Sequence, residues 1–265
     1  MVLKCSPIQL AHSLLLTLGM GWLAPVWAIQ EIRVGAAHFP PYIVRPERGT
    51  DTGLLSQLLA ALNQLQGDYR FVLVPSSIAR RVRDFERGRV DMLMFENPAW
   101  GWQAFSYAAV DMGLEDAEVF VARQHPDREQ GYFDDLKGKR LALYSGYHYA
   151  FAGFNASPKF LTETFGATLT YSHESNLFMV LRGRADIALM TRSNLIDMLG
   201  CDPQAKAKVM VMVSERIDQT YRHFALLRPQ APIQSQQFAQ MLQKLRDNGQ
   251  LKAIFAPYKI AVVEM

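Results

Sequence analysis

The chain carries one short pattern twice. Arg87-Gly88-Arg89-Val90-Asp91-Met92-Leu93-Met94 returns as Arg182-Gly183-Arg184-Ala185-Asp186-Ile187-Ala188-Leu189. Ahead of the first copy, Ile78, Val82 and Phe85 recur at helical spacing behind Ser77, a residue type suited to cap a helix. Ahead of the second, Leu177, Phe178 and Leu181 do the same after Ser175. Gly88 and Gly183 stand where a helix closes in a left-handed residue, a conformation glycine tolerates best. Each copy then enters a short apolar run, suited to a strand covered on both faces. The unit is helix, glycine, aspartate, buried strand: half of a β-α-β crossover. Its return predicts an α/β fold made of two lobes of similar plan.

Residues 1–28 stand apart from this plan. Lys4 is their only charge, Leu14 to Ala24 is apolar, and Val26-Trp27-Ala28 fits a small-residue cleavage site. That is the pattern of a secretory signal peptide cut after Ala28, with an apolar core too short to span a bilayer comfortably. Cys5 precedes the apolar core, so it is not placed for lipid attachment, and Cys201 would then be the one cysteine left. A lone cysteine makes no internal disulfide, so the fold must hold by its core. The net charge is +3, one unit of it from Lys4, which points to neither nucleic acid nor an anionic membrane. The expectation is a soluble, monomeric, exported protein.

Taken in order, Ile32 to Ala37 reads as a strand that runs into His38-Phe39-Pro40-Pro41-Tyr42. Two prolines fix this loop, and ligands of open α/β sheets bind beyond the carboxyl ends of strands. Phe39 and Tyr42 are therefore placed to floor a pocket. A turn follows, with Asp51 or Thr52 as cap, then a helix over 53–66 and a strand over 69–75. Arg80, near the start of the next helix, could reach a cleft. The first repeat strand ends in Phe95-Glu96-Asn97-Pro98-Ala99-Trp100-Gly101-Trp102, where aromatic rings, a carboxylate and an amide gather at the same sheet end. Phe95, Glu96 and Trp100 are candidate ligand contacts; the alternative is a hydrophobic plug under a loop.

Glu118 to Arg123 reads as a strand leaving the first lobe. Arg140 to Tyr144 is a strand followed by Ser145-Gly146-Tyr147-His148, a glycine turn able to offer backbone amides and the side chains of Tyr147 and His148 to a polar group. A helix from Ser157-Pro158 and a strand over 168–171 precede the second repeat. Beyond the second repeat strand lies Arg192, a residue type that grips carboxylates in a fork. Val209 to Val213 and Arg222 to Leu227 read as two further strands. Ile233, Phe238, Met241, Leu242 and Leu245 form one helical face, and a short helix closes the chain.

This order of elements resembles extracellular solute-binding protein family 3, the periplasmic receptors of polar amino acid ABC transporters. The likeness rests on Pro40-Pro41-Tyr42 after the first strand, Gly53 with its helix, Phe85 to Asp91, Leu136-Lys137-Gly138-Lys139-Arg140-Leu141-Ala142, and Leu245 to Gly249 with Tyr258. The resemblance implies the type II periplasmic-binding-protein fold, two α/β lobes joined by two crossover strands and closing like a hinge. Lobe 1 would be 29–122 with 226–265, and lobe 2 would be 123–225. It also implies a small-molecule ligand in the interlobe cleft, an ABC permease or a membrane sensor as partner, and no cofactor or metal.

Two departures from the family bear on the ligand. Its amino-acid receptors carry an arginine after the first-lobe strand to clamp the ligand carboxylate, yet no Lys or Arg falls between Arg89 and Arg123. They carry an aspartate after the second-lobe strand for the ligand ammonium, where this chain has Thr191. A buried ligand charge without its partner costs several kcal/mol, so a standard α-amino acid is not expected. Glu96 and Arg192 are then the candidate polar anchors. No nucleophile elbow, H-E-x-x-H, P-loop or paired-carboxylate motif appears. A lyase of the cyclohexadienyl dehydratase kind would have Glu96, His148 and Glu174 as acid–base groups. Non-catalytic solute capture is the leading expectation.

Overall fold

The structure, a computed structural model, describes residues 29–49, 53–200 and 210–264. Its centre is a sheet of nine strands whose order is nearly palindromic in plan. Strands β1 (Gln30–Ala36), β2 (Tyr69–Pro75) and β3 (Met92–Glu96) run parallel in the order β2-β1-β3. Strands β5 (Leu141–Tyr144), β6 (Thr168–Thr170) and β7 (Ile187–Thr191) repeat that arrangement as β7-β5-β6. Between the two sets lie β4 (Ala108–Arg123) and β8 (Val211–Leu227), antiparallel to one another. β4 leaves the first set and pairs with β7; β8 leaves the second set and pairs with β3. Each half thus lends its fourth strand to the other, and the duplicated sequence pattern has become a duplicated topology.

The repeated motif does the same mechanical work in both halves. Gly88 and Gly183 each have φ of 66°, ending α2 (Arg81–Glu86) and α4 (His173–Leu181). The aspartate then grips the strand that opens its half. Asp91 accepts from the Arg33 main-chain nitrogen (2.9 Å), Nε (2.9 Å) and Nη2 (2.8 Å). Asp186 accepts from the same three nitrogens of Arg140, at 2.8, 3.0 and 2.8 Å. Asp91 also holds Arg228 at the end of β8. Burial pushes Asp91 up, but the hydrogen bonds from Arg33 and Arg228 outweigh it and hold the carboxyl below its ordinary pKa.

Helices cover both faces of each half. Leu54, Leu58 and Leu62 of α1 (Leu54–Leu65) pack with Phe238, Leu242 and Leu245 of α6 (Ser235–Asp247) and with Leu251 and Phe255 of α7 (Gln250–Phe255). Phe85, Leu93, Trp102 and Leu226 form the core on the opposite face. In the second half, α3 (Pro158–Phe165) covers one face; α4 and α5 (Arg192–Gly200) cover the other. Along β4, core membership passes from the first half at Leu114 to the second at Val119. A two-residue strand, β9 (Ala261–Val262), borders β4.

Several local expectations change. β4 begins ten residues before Glu118, and β8 is one strand where two were expected. The polar stretch from Ser214 to Gln219, between the two expected strands, belongs to β8, where Ile217 and Gln219 pair with Val119 and Glu118 of β4. The α4 cap is Ser172, whose hydroxyl accepts from the Ser175 nitrogen at 3.0 Å; Phe178 points outward, 54% exposed. Ser77 offers α2 no side-chain cap, and Ile233 precedes its helix. The expected signal peptide, the Asp51 or Thr52 cap, Val209 and Cys201 lie outside the described residues.

Candidate functional site

The loops at the carboxyl ends of β1, β2, β3 and β5 meet across the junction of the two halves. They enclose a cavity of about 60 Å³. Its wall takes His38 and Phe39 from the loop after β1, Ile78 and Arg81 from the start of α2, and Phe95, Glu96 and Trp100 from the end of β3. The second half supplies Gly146, Tyr147 and His148, and the crossing strands supply Glu118 and Gln219. A wider groove outside the cavity shares His38, Ile78, Arg81, Gly146 and His148 with it.

Chain geometry explains who faces the cavity. Phe39 and Ile43 exchange both main-chain hydrogen bonds at 2.8 Å, closing the proline loop into a tight pin. One side of the pin sends Phe39 to the cavity. The other sends Tyr42 into the core, fully buried, where its hydroxyl donates to Asp116 at 2.7 Å. Phe95 holds φ of 62°, a strained region for a bulky residue, at the point where β3 loses register with β8. The rings of Trp100 and Tyr147 both stand edge-on to Phe39, with centroids 6.1 and 5.6 Å away. Gly146 has φ of 85°, and a Cβ there would lie 2.6 Å from Ile78 Cγ2, so the two halves touch at this glycine.

The electrostatics are set by burial. Glu96 is not a free anchor: Arg81 Nε donates to it at 2.8 Å and Trp102 Nε1 at 2.9 Å. Glu118 accepts at one oxygen from Thr191 Oγ1 (2.7 Å) and Tyr221 OH (3.3 Å), and its other oxygen, Oε2, has no partner. Burial, with Asp116 and Asp218 nearby, pushes the Glu118 carboxyl well above its ordinary pKa. Trp100 Nε1 and Tyr147 OH are likewise buried without partners. Burial lowers His148 to about 4, aided by Arg81, and lowers His38 as well.

Of the residues expected at the site, the structure brings Phe39, Phe95, Glu96, Trp100, Tyr147 and His148 together on one wall. Tyr42 and Arg192 lie behind it. Tyr42 is core, and Arg192 opens α5 with its Nε 3.7 Å from Asp116. Arg80 is exposed; its neighbour Arg81 is the one that reaches the cleft, and α2 starts at Arg81, three residues later than a cap at Ser77 implies. Glu118 was missed although its signal was plain: one carboxylate inside the apolar run Ala117-Glu118-Val119-Phe120-Val121. Gln219 and His38 carried no such mark. Among the described residues no group of three His, Cys, Asp or Glu could hold a metal ion, and no helix is long and apolar enough to cross a membrane.

Compared by sequence, the chain matches no protein-family model and no curated protein. Compared by structure, it is similar to many solved chains. The probable amino-acid ABC transporter extracellular-binding protein ytmK from Bacillus subtilis is 19% identical, with a TM-score of 0.65 over 87% of this chain and 99% of that one. A histidine kinase sensor domain with similarity to periplasmic binding proteins is 20% identical, with a TM-score of 0.66 over 89% and 99%. The ancestral amino acid-binding protein AncCDT-1, a precursor of cyclohexadienyl dehydratase, is 16% identical, with a TM-score of 0.63 over 86% and 94%. At these identities the likeness speaks for the fold. The chain has the type II periplasmic-binding-protein fold, and amino-acid-binding proteins of solute-binding family 3 are its structural neighbours.

Proposed function

We propose that this chain is a solute receptor that captures a small polar molecule between its two lobes, 29–122 with 226–265 and 123–225, and presents it to an ABC importer. Residues 1–28 serve as its export signal, cut after Ala28, and it works in the periplasm. One observation carries the reading. Trp100 Nε1, Glu118 Oε2 and Tyr147 OH are buried polar atoms without protein partners, and their residues line one cavity from both halves and the crossing strand. An unsatisfied buried polar atom costs about 1–3 kcal/mol, which a bound solute would offset by pairing with it. A standard α-amino acid fits poorly. Arg81 is occupied by Glu96, and the Thr191 hydroxyl is given to Glu118.

The likeness to a histidine kinase sensor domain supports sensing as a second reading of the same capture step. Lyase chemistry has less support. Glu96 is held by Arg81 and Trp102, and Glu174 lies in the outer groove. The test is a thermal-shift screen of amino acids, amines, organic acids and short peptides. A solute at a hundredfold excess over its Kd adds about 2.7 kcal/mol, or a shift of about 5–10 °C. That shift should largely vanish in Trp100→Ala. A screen in which no class of small polar solute moves the melting temperature would sink the proposal.

A further inference from the structure

The wall of the cavity is lopsided in charge. Three charged residues line it: Arg81, Glu96 and Glu118. Arg81 and Glu96 neutralise one another at 2.8 Å. His38 and His148 are both held toward the neutral form by burial. What remains is Glu118, 3% exposed, with Oε2 unpartnered. Arg192 is 3.7 Å from Asp116 and does not line the cavity. Around Glu118 the cavity is lined by aromatic rings, Phe39, Trp100 and Tyr147, which meet edge to face. Aromatic faces carry negative charge density and attract cations, most strongly where water is excluded.

From this we infer that the cleft takes an N–H-bearing organic cation, and that Glu118 is the residue that receives it. The ammonium donates to Glu118 Oε2, the aromatic rings pack against its carbon atoms and charge, and the Tyr147 hydroxyl and Trp100 indole complete the polar contacts. An anionic ligand would find no free cation on the wall to balance it, whereas an ammonium favours the ionised form of Glu118, which burial alone holds toward the neutral acid. The Glu118 carboxylate can then stay buried because its charge is matched, which is the condition under which buried charges are tolerated. The inference rests on the cleft being a solute site; it adds the chemical class and the recognising residue.

Calorimetric titration of the full mature chain tests it with three classes of probe: 1,4-diaminobutane and ethanolamine, succinate, and glucose. An amine should bind one per chain, and Glu118→Gln should weaken it about a hundredfold, the scale of a lost hydrogen bond to a charged group. Binding of succinate or glucose with no amine binding overturns the cation assignment and leaves the receptor reading standing. Equal amine affinity in Glu118→Gln and wild type removes Glu118. Silence from all three classes overturns the cation assignment and counts against the receptor reading too. Should Glu118→Gln fail to fold, the ranking of the three classes on the wild-type chain still decides.

Discussion

His223 on β8 sits at the centre of an aromatic cluster, its ring 4.4 Å from Tyr42, 5.2 Å from Tyr221 and 5.7 Å from Phe95. Neither of its nitrogens has a hydrogen bond of good geometry. Burial pushes its pKa down to about 3, against a smaller pull from the Phe95 main chain. The folded pKa lies below the unfolded one, so on acidification the unfolded chain takes the proton first. Stability is full above about pH 6.5 and falls from there toward the folded value, by about 2 kcal/mol at pH 5. Asp116 and Glu118, raised by burial, act in the opposite sense, since the folded chain takes their protons first. His223→Phe isolates one part of this balance. Between pH 7.5 and pH 5 in urea titrations it should lose about 2 kcal/mol less than wild type; any static cost of the larger ring cancels in that difference. An identical acid loss in the two proteins would show that His223 has hydrogen-bond partners in solution. A histidine of this kind is illegible in sequence, because Tyr221-Arg222-His223 alternates like any half-exposed strand.

At the scale of elements, the two arginine–aspartate grips offer an internal comparison. Asp91 is 1% exposed at its side chain and holds two arginines; Asp186 is 29% exposed and holds one. Removing Asp91 takes the shared acceptor from Arg33 and Arg228, 37% and 19% exposed, and hydrogen bonds to a charged group contribute about 1.5–3 kcal/mol each, whereas an exposed pair contributes about 1 kcal/mol or less. Asp91→Ala should therefore destabilise far more than Asp186→Ala in urea denaturation, and similar losses would refute the grip as described. This unit was legible because every part of it is local: the helix period, the left-handed glycine, the aspartate, the apolar run. The long strands were not. Ala108 to Ala117 contains Asp111, Gly113, Glu115 and Asp116, and 214–219 is mostly polar. Both are strands because β4 and β8 pair along their length, Ala108 to Ala117 with Leu227 back to Thr220, and Gln219 and Ile217 with Glu118 and Val119, and such pairing leaves no periodic trace in either segment alone. The pocket was half legible for the same reason. Phe39, Glu96 and Trp100 announce themselves by chemistry at a strand end, but which side of the proline pin faces the cavity depends on the partner across it.

At the scale of the whole molecule, the two halves touch where Ile78 meets Gly146. The sequence presents Gly146 as a turn glycine, and its φ of 85° agrees. Its second reason is contact: a side chain there would strike Ile78 from the other half. The close approach of the two halves here therefore needs a glycine at 146, and Ile78 and Gly146 line both the cavity and the outer groove. Gly146→Ala carries two penalties, about 1 kcal/mol of backbone strain and the collision across the cleft. Ile78→Ala removes the second and leaves the first. In small-angle scattering with a bound solute, Gly146→Ala should have a larger radius of gyration than wild type, and the double variant should return toward the wild-type value. Backbone strain alone would leave Gly146→Ala and the double variant equally expanded, or neither expanded. Because the crossing strands β4 and β8 carry Glu118 and Gln219 in the same cavity, an opening at Gly146 would also separate the residues that the two halves bring to it. Affinity and closure should then fall together in the single variant and recover together in the double.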